Sequence, residues 1–196
     1  MFQGCTNLRV APALPATTLD YTAYKSMFRD CTSLVKAPTL PATTVPYACY
    51  QYMFNGCTSL KVMPEIKCKT PSSSAFSYMF NGCTNLKKLT YLSLTSLSQS
   101  CCEYMFRNCT SLTEIPENYL PVTTLATQCY VYMFGGCSNL RIVPENLLPS
   151  TTLADGCYSG MFRDCTSLNT TLKLRATTLK PNCYGAMFEG CTSLEV

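Results

Sequence analysis

The chain has no histidine and no tryptophan among its 196 residues, and only 13% of them are charged. The missing histidine excludes Ser-His-Asp and Cys-His nucleophile chemistry, histidine-ligated metals and the usual switch near neutral pH. No apolar run approaches the roughly 18 residues of a membrane helix. There is no G-x-S-x-G, no P-loop, no G-x-G-x-x-G and no C-x-x-C. The net charge of +4 is too small and too scattered for a dedicated nucleic-acid surface. The opening, MFQGCTNL, has neither the basic region nor the apolar stretch of a signal peptide. The carboxylates are scattered as well. Asp30 and Asp164 occupy one column of the two MFRDC copies, far apart, and read as solvated turn residues. No catalytic residue, metal site or cofactor is expected.

Repetition is what the chain has in abundance. Met-Phe-x-x-Cys recurs at Met1, Met27, Met53, Met79, Met105, Met133, Met161 and Met187, in steps of 26, 26, 26, 26, 28, 28 and 26 residues. Residues 1–196 therefore read as a single repeat domain of seven units and a partial unit from Met187. Nothing is left over for a linker. The two longer units carry an extra pair beside Pro116-Glu117-Asn118 and Pro144-Glu145-Asn146, which reads as a loop insertion. A leucine column runs Leu8, Leu34, Leu60, Leu86, Leu112, Leu140, Leu168, Leu194, and Phe2 recurs in every copy. One unit has too few apolar positions to bury itself, whereas stacked units share a continuous core.

Within a unit the pattern predicts two extended pieces and a short helix. Cys49, Met53 and Cys57 lie at i, i+4, i+8, and Tyr50 and Phe54 at i, i+4, the spacing of one helical face over Cys49–Asn55. Gly56 and its counterparts Gly82, Gly136 and Gly190 supply a helix stop. Thr6–Pro12 reads as a strand with Leu8 and Ala11 inward, and Pro15–Leu19 (PATTL) as a second extended piece. The fold class is then an α/β solenoid, leucine-rich-repeat-like and right-handed, built of strand–turn–helix units of 26–28 residues and about 35 Å long at roughly 5 Å per rung. In Met63–Ser100 the pattern weakens: KCKTP (Lys67–Pro71) replaces PATTL and Thr90 replaces a strand-ending proline, so a bend or loosening is expected there. Solenoid ends need capping repeats, and none is legible, so a fragment of a longer array and end-to-end self-association are expected.

The fifteen cysteines form two ladders. One is Cys5, Cys31, Cys57, Cys83, Cys109, Cys137, Cys165, Cys191. The other is Cys49, Cys101, Cys129, Cys157, Cys183, with Ala23 and Ala75 in the same column; Cys68 and Cys102 stand outside both. A column that takes Cys or Ala selects a small apolar residue, and free cysteine fills that role. A disulfide ladder is disfavoured because stacked rungs sit about 4.8 Å apart, beyond the roughly 3.8 Å between disulfide Cβ atoms.

The CYxxMFxGCTSLxxxPxLPATTL pattern resembles the BspA-like leucine-rich repeats of Bacteroidetes-type surface proteins, with Cys129–Leu140 a good single instance. The likeness covers the whole chain. It implies secretion or surface display and non-catalytic binding of a host or microbial protein or glycan, with no nucleic acid and no membrane insertion. Two surfaces could carry such binding. Tyr52, Tyr78, Tyr104 and Tyr132 precede four successive Met-Phe pairs and should form an outward stripe. Arg9, Lys36, Lys61, Lys87, Lys88 and Arg141 occupy outward strand positions. The inner columns are uniform and the outer ones vary, which favours an adhesin-like recognition module. The alternative is a rigid spacer or stalk that displays another domain.

Overall fold

The computed structural model describes residues 1–195; Val196 lies outside them. The units coil so that equivalent residues stack. Eight of the nine phenylalanines, from Phe2 to Phe188, form one column, with neighbouring ring centroids 5.4–5.9 Å apart and nearly parallel planes. Leu34, Leu60 and Leu86 lie buried together in a single core that runs through the stack.

The predicted helix does not form, and no helix occurs among the described residues. In its place stands a ribbon of overlapping β-turns. The amides of Ala23, Lys25, Met27, Arg29 and Cys31 each donate to the carbonyl three residues back. The amides between them, Thr22, Tyr24, Ser26, Phe28 and Asp30, each donate to the next coil, to the carbonyls of Tyr47, Cys49, Gln51, Met53 and Asn55 at 2.8–3.1 Å. Every amide is thus satisfied, alternately within its coil and across to the next, as buried backbone requires. Every fourth residue has positive φ: Thr22, Ser26 and Asp30 at 55–58°, then Ala48, Tyr52 and Gly56 one coil on. Positive φ at the third position of a turn marks type II geometry. A four-residue repeat produces the same i, i+4, i+8 spacing as a helical face. That coincidence explains why the periodicity predicted a helix.

The residues the sequence assigned to a helix stop belong to this pattern. Gly4, Asp30, Gly56, Gly82, Asn108, Gly136, Asp164 and Gly190 all have positive φ. Glycine, asparagine and aspartate are the residues that enter the left-handed region most readily. A Cβ at Gly56 would also meet the Asp30 carboxylate of the preceding coil, an exposed side-chain end that can turn aside.

On the opposite side the sheet is reduced to its minimum. β1 (Thr44–Val45) pairs in parallel with β2 (Thr70–Pro71), and elsewhere single bridges join neighbouring coils, such as Val10 to Lys36 and Val62 to Lys88. The expected strand Thr6–Pro12 contracts to the bridge at Val10. The KCKTP segment, expected to loosen the stack, instead supplies β2. Thr70 Oγ1 donates to Thr44 Oγ1 at 3.3 Å, and Thr90, in place of proline, donates to the Pro64 carbonyl at 3.0 Å.

The extra pair in the longer units does more than lengthen a loop. Its turn carries Tyr119 and Leu120, and then Leu147 and Leu148, into the core. Tyr119 tilts against Phe106 and Phe134, and its hydroxyl donates to the Met63 sulfur at 3.5 Å. A second ring column, Tyr24–Tyr50–Phe76 and Tyr130–Tyr158–Tyr184, is interrupted where Cys102 replaces the aromatic. Tyr119 enters the core in that same coil, close to the Cys102 thiol.

All fifteen cysteines are free; thirteen are buried, Cys191 is half-buried and Cys5 is exposed. The first ladder has a specific task. Cys31, Cys57, Cys83, Cys109, Cys137, Cys165 and Cys191 each donate S–H to the carbonyl of the phenylalanine in the preceding coil, at 3.0–3.3 Å. Alanine could fill the volume but could not donate, which explains why this ladder is all cysteine. The second ladder, with Ala23 and Ala75 in the same column, shows no such uniform pairing.

Gly56→Ala should cost about 1–2 kcal/mol for the left-handed backbone alone, read as a lowered Tm. Tyr50→Phe should leave Tm unchanged or raise it, because the buried Tyr50 hydroxyl has no hydrogen-bond partner. Thiol reagents should modify Cys5 quickly and Cys191 slowly in the native protein, and all fifteen cysteines after denaturation without reductant. Burial also pushes the Cys57 and Cys137 thiols up to about 12, against 9.0 for an ordinary thiol. With the folded value above the unfolded one, their contribution is complete below about pH 9 and is lost as pH rises toward 12. Thermal unfolding measured from pH 8 to 11 should show that decline.

Candidate binding surfaces

The outward strand positions form one face of the solenoid. Arg9, Lys36, Lys61, Lys87, Lys88 and Arg141 are all exposed. The backbone fixes their places. The Arg9 carbonyl accepts the amides of Val35 and Lys36, the Lys61 carbonyl those of Lys87 and Lys88, and the Thr113 carbonyl those of Arg141 and Ile142, all at 2.9–3.3 Å. The ion pairs among the described residues involve Arg29, Arg163 and Lys173, and none involves these six cations. Val10, Val35, Val62 and Ile142 stand between them, each about half exposed. A shallow groove of about 450 Å³ opens on this face, lined by Lys87, Ser111, Thr113, Glu114, Asn139, Arg141 and Ile142.

The tyrosine stripe exists, but its geometry differs from an open aromatic platform. Tyr52, Tyr78, Tyr104 and Tyr132 take φ of 49–58°, an unusual conformation for a bulky residue. Their rings stack at 4.7, 4.5 and 5.1 Å, so each ring face is covered by the next and every tyrosine is half-buried. Arginines close the column. Arg29 lies 5.5 Å from the Tyr52 ring centre at one end, and Arg163 lies 5.9 Å from that of Tyr132 at the other. Arg163 also donates to the Tyr132 hydroxyl at 2.9 Å and pairs with Glu189 at 2.7 Å. Arg107 approaches both Tyr104 and Tyr132 from the side. Edges and hydroxyls are left for a ligand, and burial raises the Tyr78 hydroxyl to about 12.

The capping arginines were missed in the sequence, although a signal was present. Arg29 and Arg163 follow Ser26 and Gly160, the positions where the tyrosine column is empty on either side of the stripe. Asp30 and Asp164 lie beside Arg29 and Arg163, at 3.4 and 3.8 Å, on exposed turns. No group of three or more Cys, Asp or Glu suited to a metal ion occurs among the described residues, nor any helix long and apolar enough to cross a membrane.

Comparison with known proteins matches residues 22–152 to the family described as BspA type Leucine rich repeat region, in 6 copies. The chain belongs to the BspA-type leucine-rich repeat family. Among solved structures it is similar to a leucine-rich repeat protein from Bacteroides ovatus ATCC 8483, with 19% identity and a TM-score of 0.49. That match covers 99% of this chain, which spans 56% of the length of that protein. A search of curated proteins gave no match. Leucine-rich repeats are generally non-catalytic and generally mediate protein binding. In this BspA-type chain the period and the continuous core agree with that assignment, while the element opposite the bridges is a turn ribbon.

The stacked stripe should be a stabilising element. Tyr78→Ala combined with Tyr104→Ala should lower stability by about 1–3 kcal/mol, since three aromatic contacts and their burial are lost together. Denaturant unfolding measures the loss, and near-UV circular dichroism should lose the signal of the coupled rings.

Proposed function

We propose that this chain is a non-catalytic recognition module, displayed at a cell surface or secreted, which binds a host or microbial macromolecule through its strand face. The observation that carries this reading is the set of six exposed cations without ion pairs on one face, set on a core whose columns hardly vary. Glu114 shares the face, and charge that serves only solubility need not gather in two adjacent strand columns. The family likeness supports surface display and an interaction role. The tyrosine stripe is a weaker candidate, because its ring faces are covered by one another and by arginine.

A rigid spacer is the second reading, and the arginine-closed tyrosine stack favours it, since a covered stack stiffens the coil without offering a platform. The two readings separate on a protein and glycan array probed with the wild type and with Lys61→Glu plus Lys87→Glu. The recognition module should give discrete hits that the double substitution abolishes while its Tm stays within a few degrees. Hits that survive the substitution would move the site off the strand face, and an array without hits would favour the spacer.

A further inference from the structure

We propose that the strand face binds a linear polysaccharide carrying an acidic group on every second sugar, laid along the solenoid axis. Lys87 and Arg141 each pair with one acidic group, and the neutral sugar between them rests over Thr113. This inference rests on the recognition reading above and names its ligand class.

The argument starts from spacing. Lys87, Thr113 and Arg141 occupy one column on three successive coils, and the Thr113 carbonyl accepts the Arg141 amide at 2.9 Å. Two rungs of a parallel ladder span about 10 Å, which is the scale of a disaccharide in an extended glycan. The composition of the groove fits the same ligand. Between the cations lie the neutral hydrogen-bonding residues Ser111, Thr113 and Asn139, together with one carboxylate, Glu114. Glu114 would repel an acidic group placed beside it but can accept a hydroxyl proton from a neutral sugar. A polymer charged on every residue would therefore fit poorly, and an alternating one fits well. Ile142, about half exposed, offers an aliphatic surface to sugar C–H groups.

Other macromolecules fit less well. Interfaces with folded proteins are enriched in aromatic anchors and depleted in lysine, and the residues that line this groove include no aromatic side chain. Single-stranded nucleic acid needs aromatic faces on which bases stack. The four tyrosines of the stripe are stacked on one another.

The test is binding of the purified chain to immobilised hyaluronan, chondroitin sulfate, polygalacturonate, neutral dextran and oligo-dT, each over a salt series. Hyaluronan carries a carboxylate on every second sugar, whereas chondroitin sulfate adds a sulfate on the sugars between and, like polygalacturonate, is charged on every sugar. At low salt, hyaluronan should be retained, with dextran inert, and retention should fall as salt screens the exposed charges. Lys87→Ala plus Arg141→Ala should weaken binding at least about tenfold. Lys25→Ala plus Lys180→Ala removes the same charge from elsewhere on the surface and should change it less than about twofold. Thermal unfolding of both double variants verifies that they fold. Equal losses in the two variants would overturn the proposal, as would preference for chondroitin sulfate, polygalacturonate or oligo-dT over hyaluronan. An array hit on a protein, abolished by Lys61→Glu plus Lys87→Glu, with no retention on any polyanion, would overturn the polysaccharide while leaving the recognition reading intact.

Discussion

In the turn ribbon, alternate amides have no acceptor within their own coil and must find one in the next. That requirement ties the other features together. An isolated unit would leave about half of its ribbon amides to water, so the ribbon forms only when coils stack. Stacking in turn demands identical backbone geometry in every coil, which repeats the positive φ at every fourth residue. Left-handed conformations cost roughly 1–2 kcal/mol each outside glycine, and the shared hydrogen bonds and the buried phenylalanine column offset them. The thiol ladder belongs to the same scheme, because its S–H groups reach phenylalanine carbonyls that already accept one amide.

Rigid repetition inside leaves variation to the outside. The phenylalanine, leucine and cysteine columns are nearly constant because each position must accept the same neighbours above and below. The strand face has no such constraint, and it is there that lysine, arginine, valine, threonine and glutamate alternate. The tyrosine stripe lies between these extremes. Its rings are held by their neighbours and by Arg29 and Arg163, so it belongs more to the framework than to the variable surface.

The period, the stacked core, the free thiols and the exposed basic positions were legible because each rests on a residue type recurring at a fixed interval. Arg9, Lys61 and Lys87 lie outward as read, since a strand position adjacent to an inward leucine has little choice. The helix was misread for a physical reason: a turn every four residues and a helix of 3.6 residues per turn place apolar side chains at nearly the same intervals over eight residues. The discriminating sign lay in the column of Gly4, Asp30, Gly56, Gly82 and Asn108. It holds residues suited to positive φ in every coil, whereas a helix stop leaves the rest of its own segment right-handed.

The amino-acid order alone was enough to specify a solenoid, because a register of 26 or 28 residues with invariant apolar columns has no other way to bury itself. It also specified that cysteine fills the interior, since an all-cysteine column beside a column of cysteine and alanine marks small buried sites. Three matters were decided only by the folded chain. The partner of each alternate amide lies about 25 residues away, so neither the ribbon nor its turns can be read from local propensity. Tyr119 entered the core through the turn of its longer unit and packs against Phe106, Phe134 and Met63, contacts that only the stacked coils create. The covering of the tyrosine faces by arginine depended on side chains three residues beyond the vacant positions at Ser26 and Gly160, a relation that exists only once neighbouring coils are stacked.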